Sequence, residues 1–112
     1  MKLPNREHAI VPREKVVDYL LSTTHRDGRY KAAFFKGFGF TADRWQELAD
    51  ALLRHAEDHH VTKVEDSPFG TRYVVDGIMV MADGRDAMLR TVWFFDTDSD
   101  LPRFVTAYPL RK

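Results

Sequence analysis

Residues 71–95 read TRYVVDGIMVMADGRDAMLRTVWFF, and this stretch decides the fold. Both of its halves are rich in β-branched and aromatic residues, which is typical of strands. Between the halves, residues 82–85 (ADGR) contain the Asp-Gly pair that favours a hairpin turn. The stretch therefore predicts two long antiparallel strands, residues 71–81 and 86–95.

Two shorter segments flank this hairpin and predict further strands. Residues 61–65 favour a weak first strand, followed by a turn at residues 68–70 (PFG). Residues 103–110 (RFVTAYPL) follow an acidic loop and predict the last strand. Pro109 cannot donate a ladder hydrogen bond, so this strand is expected at an edge of the sheet. Strict alternation would place Thr106 on one face with Phe104 and Tyr108.

The first half of the chain predicts three helices, at residues 12–22, 29–36 and 41–58. The third has apolar residues at spacings of three and four, which indicates a core-facing stripe: Trp45, Leu48, Ala49, Leu52 and Ala56. Helices that precede strands predict an α+β fold. We expect a single domain of residues 1–112, with three helices packed on a three- to four-stranded antiparallel meander.

Composition narrows the function classes. The 112 residues are 44% hydrophobic, which is enough for a core. The chain has no cysteine, which excludes disulfides, a thiolate nucleophile and a cysteine-based zinc site. No run is long enough for a signal peptide or a membrane span, so a cytoplasmic protein with no membrane partner is expected. The 17 basic and 17 acidic residues give a net charge of zero. This argues against a protein that coats nucleic acids without sequence preference, but it permits a local basic cleft.

Residues 23–40 (TTHRDGRYKAAFFKGFGF) concentrate cations and aromatic rings. A helical wheel puts Lys31 on the same side as Tyr30, Phe34 and Phe35. A lysine there either snorkels or makes cation–π contacts, or it lies partly desolvated beside a functional site. His25 lies just upstream and could reach the same place, so both interpretations stay open.

A metal site and the common phosphate-binding motifs are poorly supported. His55 and His59 are four residues apart, as zinc ligands on a helix would be. A third ligand is uncertain, however, and histidines in a last helical turn also suit the helix dipole. No Walker loop, dinucleotide fingerprint or nucleophile elbow is present. We therefore expect no metal and no cofactor.

The remaining polar residues are of the types that metal-free RNA cleavage uses: His25, Lys31 and Arg90, with Thr106 and Tyr108. Histidine can move protons near neutral pH, and lysine and arginine can stabilise charge on a phosphate. Hydroxyl groups can orient the phosphate or relay protons. Arg90 could equally be a solvated residue on an open sheet face.

Three groups of motifs carry a family resemblance that covers nearly the whole chain: KLPN near the start, residues 25–32, and the RYVVDG, LRTVWFFD and PRFVTAYPL segments. The chain resembles a family of small bacterial domains that are similar to toxin modules of the barnase–EndoU–colicin–RelE-like class. In that class, helices precede a curved antiparallel sheet that cleaves RNA.

The resemblance implies a metal-independent endoribonuclease, the toxin of a toxin–antitoxin or polymorphic-toxin system. It also implies an RNA substrate and a small antitoxin or immunity protein as partner. The residues that it points to are His25, Lys31, Arg90 and Thr106 as catalytic, and Arg29, Arg103 and Tyr108 as substrate-binding. The alternative is a non-catalytic binding module such as the antitoxin or immunity partner itself, which the zero net charge and the aromatic-rich second helix favour.

Overall fold

The computed structural model describes residues 1–24, 26 and 29–110, and its architecture is α+β, as the sequence predicts. The second half of the chain forms one antiparallel sheet with the order β1-β2-β3-β4. Its strands are β1 (Val61–Ser67), β2 (Gly70–Val80), β3 (Asp86–Asp96) and β4 (Arg103–Pro109). The four-stranded meander and the edge position of β4 are thus confirmed.

Helical segments fill the first half. They are α1 (Arg13–Lys15), a π-helical segment (Val16–Leu20), α2 (Arg29–Gly37) and α3 (Trp45–Asp58), with 3₁₀ turns before α1 (Arg6–His8) and before α3 (Ala42–Arg44). Residues 12–22 therefore do not form the single regular helix that the sequence predicts. The Leu21 N–H bonds the Val16 carbonyl five residues back at 2.8 Å, and this wide turn buries Val16, Leu20 and Leu21 together. Within the described part of the chain, no helix is long and apolar enough to cross a membrane.

Helix α3 covers one face of the sheet, which we call the inner face. Its buried apolar residues are Leu48, Ala49, Leu52 and Ala56, as the periodicity predicts. Trp45 only partly fits the prediction, because it stands at the first residue of α3 and is half-buried against the core. The tryptophan at the centre of the core is Trp93 of β3, which has no exposed surface.

The turn between β2 and β3 sets their register. The Met81 N–H bonds the Arg85 carbonyl at 2.8 Å, and the Gly84 N–H bonds the Met81 carbonyl at 3.0 Å. Gly84 has a φ of 88°, which a glycine adopts without strain. Residues 82–84 thus form a three-residue hairpin loop with glycine at its left-handed position. This loop length puts Asp76 directly opposite Arg90.

A β-bulge in β4 corrects the predicted alternation of that strand. Val92 pairs with Thr106, but Trp93 pairs with Phe104, so Val105 is an extra residue. Phe104 is therefore fully buried in the core, whereas Thr106 pairs with a residue of the opposite, outer face. The predicted common face of Phe104 and Thr106 is wrong, because the bulge changes the phase of the strand between them.

Candidate functional site

Lys31 of α2 makes the central contact of the site. Its Nζ donates a hydrogen bond of 2.6 Å to the Tyr19 hydroxyl, which lies 3.0 Å from Thr106 Oγ1. The Nζ atom is also 4.9 Å from the ring centroid of Tyr19 and 5.9 Å from that of Tyr108. The Nζ atom lies beyond the hydroxyl end of the Tyr19 ring, so the hydrogen bond is its main contact with that residue. We call Tyr19, Lys31, Arg90, Thr106 and Tyr108 the Lys31 cluster.

The local sequence explains how Tyr19 and Lys31 meet. Tyr19 belongs to the π-helical segment and packs against the core, while α2 buries Ala32 and Phe35. Burying those two residues turns Lys31 toward Tyr19 and leaves Tyr30 74% exposed. The aromatic residues around Lys31 thus include Tyr19 and Tyr108, which lie outside its own helix. The prediction that Tyr30 shares one aromatic face with Lys31 is wrong, because Tyr30 points to solvent.

The electrostatic environment makes the Tyr19 hydroxyl more acidic than usual. Burial raises its pKa, but the hydrogen bonds with Lys31 and Thr106 and the positive charges of Lys31 and Lys15 together lower the pKa below 10.0. Lys15 Nζ lies 5.4 Å from the ring centroid of Tyr19. Stabilisation of the phenolate form makes the hydroxyl a better proton donor near neutral pH.

Arg90 of β3 approaches the cluster from the outer face. Arg90 stands opposite Tyr108 on one side and opposite Asp76 on the other. Its Nε and Nη2 donate to the two carboxylate oxygens of Asp76 at 2.8 and 2.9 Å. The guanidinium carbon lies 6.0 Å from the ring centroid of Tyr108. Two parallel hydrogen bonds hold the planar guanidinium in one orientation.

The ion pair also fixes the charges of its two members. The hydrogen bond from Arg90 lowers the pKa of Asp76, against a smaller effect of burial, and Thr62 Oγ1 adds a 3.3 Å hydrogen bond to the same carboxylate. Hydrogen bonds with Asp76 and Tyr108 raise the pKa of Arg90. Arg90 keeps 34% of its side chain exposed, so it remains accessible from solvent while its charge is partly compensated.

The structure brings together four of the predicted site residues: Lys31, Arg90, Thr106 and Tyr108. Two other predicted site residues, Arg29 and Arg103, lie outside this cluster and contact other side chains. Arg29 is exposed and donates to the Tyr30 hydroxyl at 3.3 Å, and Arg103 pairs with Asp96 at 3.0 and 3.2 Å. His25 lies outside the described residues.

Sequence reasoning missed Tyr19 and Asp76. Tyr19 adjoins an apolar stripe and looks like a core residue, so only the contact with Lys31 distinguishes it. Asp76 left a clearer signal, because it is the only charged residue in the otherwise apolar run VVDGIMV. A hairpin with a three-residue loop would have paired it with Arg90.

His55 and His59 form a different kind of site. His55 is buried, with Nδ1 at 3.1 Å from Thr91 Oγ1 and Nε2 at 3.0 Å from the Gly77 carbonyl oxygen. His59 Nε2 lies 2.7 Å from the Ile78 carbonyl oxygen. Burial lowers the pKa of His55, although the carbonyls of Gly77 and Leu89 act in the opposite direction.

These contacts tie the end of α3 to the sheet and use both ring nitrogens of His55 and the Nε2 atom of His59. In the part of the chain that the structure describes, no group of three or more histidine, aspartate or glutamate side chains is placed to hold a metal ion. In the structure, His55 and His59 lie within hydrogen-bonding distance of sheet carbonyls at Gly77 and its neighbour Ile78. A Cβ atom on Gly77 would collide with the ring of His59.

Comparison with known proteins shows the fold and the family. A search of curated proteins finds no match. A solved chain from "Contact-dependent growth inhibition toxin - immunity protein complex from Klebsiella pneumoniae 342" has a TM-score of 0.74 and 18% identity, covering 96% of this chain and 97% of that one. At this identity the likeness shows a shared fold. The profile of a family described as "Domain of unknown function (DUF6883)" matches residues 2–111, and the chain therefore belongs to the DUF6883 family.

Proposed function

We propose that this protein is a metal-independent endoribonuclease and acts as the toxin of a toxin–immunity system. The observation that carries the proposal is the chain of contacts from Lys31 Nζ through the Tyr19 hydroxyl to Thr106 Oγ1, with Arg90 nearby. It combines a cation for the phosphate with a hydroxyl of lowered pKa. The likeness of fold to a chain of a toxin–immunity protein complex supports a role in a system of that kind.

In the proposed reaction the RNA 2′-oxygen attacks the adjacent phosphorus atom, and the bond from phosphorus to the 5′-oxygen breaks. The products are a 2′,3′-cyclic phosphate and a free 5′-hydroxyl. Lys31 and Arg90 stabilise the negative charge on the non-bridging oxygens. Tyr19 gives its proton to the departing 5′-oxygen and is reprotonated from solvent. The base that takes the 2′-hydroxyl proton is His25, assigned from its sequence position and chemistry.

Each cluster residue has a reason for its part. Lys31 can exchange its hydrogen bond with Tyr19 for one with a phosphate oxygen, since the ammonium has three donors. Thr106 stays within 3.0 Å of the Tyr19 hydroxyl and keeps that group in place. Two N–H groups of the Arg90 guanidinium donate to Asp76, and the remaining N–H groups of Arg90 are left for the substrate. Arg29 and Arg103 lie outside the Lys31 cluster, and we assign them no step of the reaction. That they bind the substrate stays a prediction.

The direct test is cleavage of a fluorophore-labelled RNA in excess EDTA by the wild type and by Tyr19→Phe. This variant keeps the ring but removes the hydroxyl, so cleavage should fall by at least about 10²-fold. Tyr30→Phe is the matched control, because Tyr30 is 74% exposed and outside the cluster, and its activity should equal that of the wild type. Cleavage that stops with EDTA and returns with Zn²⁺ would contradict the proposal.

The second candidate is a non-catalytic partner, such as the immunity protein of such a system. It is favoured by the compensated charge of Arg90 and by exposed apolar residues on the sheet: Ile78, Val80 and Met88. An immunity protein would leave RNA intact in every buffer and would protect RNA from a cognate toxin. Absence of cleavage by the wild type together with such protection would establish this candidate instead.

A further inference from the structure

Strand β2 extends beyond the end of its neighbour β1. The pairing of β1 with β2 runs from Ser67 opposite Gly70 to Val61 opposite Val75. Strand β2 continues to Val80, and these last residues pair with β3 on their other side. Along residues 76–80, no strand formed by the described residues lies on the β1 side. This part of β2 is a free edge within a long sheet.

The backbone groups of the free edge can be assigned from the hairpin. The Met81 N–H bonds the Arg85 carbonyl, so Met81 directs its backbone groups toward β3. In an antiparallel ladder this direction alternates, so Ile78 and Val80 direct their N–H and C=O groups away from β3. His59 Nε2, 2.7 Å from the Ile78 carbonyl oxygen, agrees with that direction. Among the described residues, no backbone carbonyl accepts a hydrogen bond from the N–H of Ile78 or of Val80.

The side chains at this edge are apolar and exposed. Ile78 is 52% exposed and Val80 61%, and both belong to the outer face. Met88 stands opposite Ile78 on β3 and is 36% exposed. The Ile78 carbonyl already accepts a hydrogen bond from His59, so the groups left for an added strand are the Ile78 N–H and the backbone groups of Val80, next to exposed apolar side chains.

The charges around the edge are mostly negative. The grooves on both sides of residues 78–80 contain four carboxylates and one guanidinium: Glu47, Asp50, Asp58, Asp86 and Arg54. Two copies of this chain paired through this edge would bring the same carboxylates together, which disfavours self-pairing. An extended segment with basic side chains would instead find opposite charges along its length.

We propose that the free edge of β2, residues 76–80, binds an extended segment of a partner protein that carries alternating basic and apolar side chains. The segment joins the sheet as an added strand next to β2. Its backbone pairs with the Ile78 N–H and with the N–H and C=O of Val80. Its apolar side chains cover those residues and Met88, and its basic side chains meet the flanking carboxylates. Asp76 at one end of this surface also pairs with Arg90, but Ile78, Val80 and the flanking carboxylates lie outside the Lys31 cluster. The inference does not rest on ribonuclease activity.

The test uses a short synthetic peptide of alternating lysine and valine, titrated into the ¹⁵N-labelled full chain. The backbone amide signals of Ile78 and Val80 should shift more than those of β4. A peptide of the same sequence with N-methyl groups on alternate residues keeps its charge but cannot pair along one edge. It should bind at least about tenfold more weakly, the factor expected for losing one or two net hydrogen bonds.

Val80→Pro supplies the protein-side test, because proline removes an edge N–H that the β3 ladder does not use. Its affinity for the peptide should fall by about tenfold, while Val80→Thr keeps the N–H and should bind more tightly than Val80→Pro. Should Val80→Pro fail to fold, the comparison of the two peptides still decides. Equal binding of the N-methylated peptide, equal binding of a glutamate–valine peptide, or dimerisation of the chain through this edge would each overturn the proposal.

Discussion

Asp76 and Arg90 face each other across β2 and β3, and two hydrogen bonds of 2.8 and 2.9 Å join the carboxylate to the guanidinium. The pair stands next to Tyr108, whose ring lies near both Arg90 and Lys31. Asp76 therefore limits the positive charge at one side of the Lys31 cluster and holds its arginine in a fixed orientation.

Replacing Asp76 by asparagine should destabilise the protein by about 1 kcal/mol at pH 7, because a bidentate, partly exposed ion pair is lost. The pKa of Asp76 is lowered in the folded state, so its contribution is present above its unfolded value of about 3.8 and is lost as the pH falls below it. Urea unfolding of wild type and Asp76→Asn at pH 7 and pH 3 measures this. The difference between the two proteins should shrink at pH 3.

The exposed residue Asp98 provides the control for that measurement. Asp98→Asn should unfold like the wild type at both pH values. A difference between wild type and Asp76→Asn that grows toward low pH would contradict the assigned direction of the pKa shift.

Lys31→Met should reduce RNA cleavage by about 10²-fold while the melting temperature stays near that of the wild type. The methionine keeps most of the apolar stem but cannot stabilise phosphate charge. Cleavage rates in EDTA and thermal melts of the same preparations give both quantities. Lys36→Met, an exposed change on the same helix, should leave both unchanged. A more stable Lys31→Met protein with full cleavage activity would reduce Lys31 to a packing role.

His55 should make the folded protein sensitive to mild acid. Burial lowers the pKa of His55 below 6.5, so the unfolded chain binds a proton that the folded chain resists. The free energy of unfolding should therefore fall as the pH decreases below about 6.5. Urea unfolding at several pH values between 5 and 8 tests this, with about one unit between measurements. His55→Gln should flatten the dependence, and His60→Gln, an exposed change, should not.

Gly77→Ala should destabilise the protein by about 1–3 kcal/mol, because a Cβ atom there collides with the ring of His59. His59→Ala removes that ring, so adding Gly77→Ala to it should cost much less. The four proteins of this double-mutant cycle can be compared by urea unfolding. Additive losses would mean that the ring of His59 moves away freely and that Gly77 is needed for another reason.

The sheet could be predicted from the sequence because its signals are local. Alternating β-branched residues and an Asp-Gly turn indicate the hairpin, and Pro109 indicates the edge position of β4. The stripe of α3 was equally local. The bulge at Val105 and the wide turn after Val16 were not predicted, since both depend on how buried side chains fit together across elements.

The candidate site could be predicted only in part for the same reason. Lys31, Arg90, Thr106 and Tyr108 were singled out as polar or cationic residues in apolar surroundings, and these four do lie together. Tyr19 could not be found in this way, because a tyrosine beside a core stripe is ordinary. Its hydrogen bond with Lys31 depends on the relative position of two helical segments, which cannot be read from the sequence.

The three-residue loop that ends at Gly84 has a consequence for how this fold can vary. Opposite residues of a hairpin share a face, so loop length alone chooses the neighbour of Arg90. A two-residue loop at Asp83 and Gly84 would put Gly77 opposite Arg90 and would leave Asp76 on the other side of the sheet. A substitution at the hairpin tip that replaces the three-residue loop by this two-residue loop would thus release the guanidinium from its carboxylate, without any substitution in the Lys31 cluster itself.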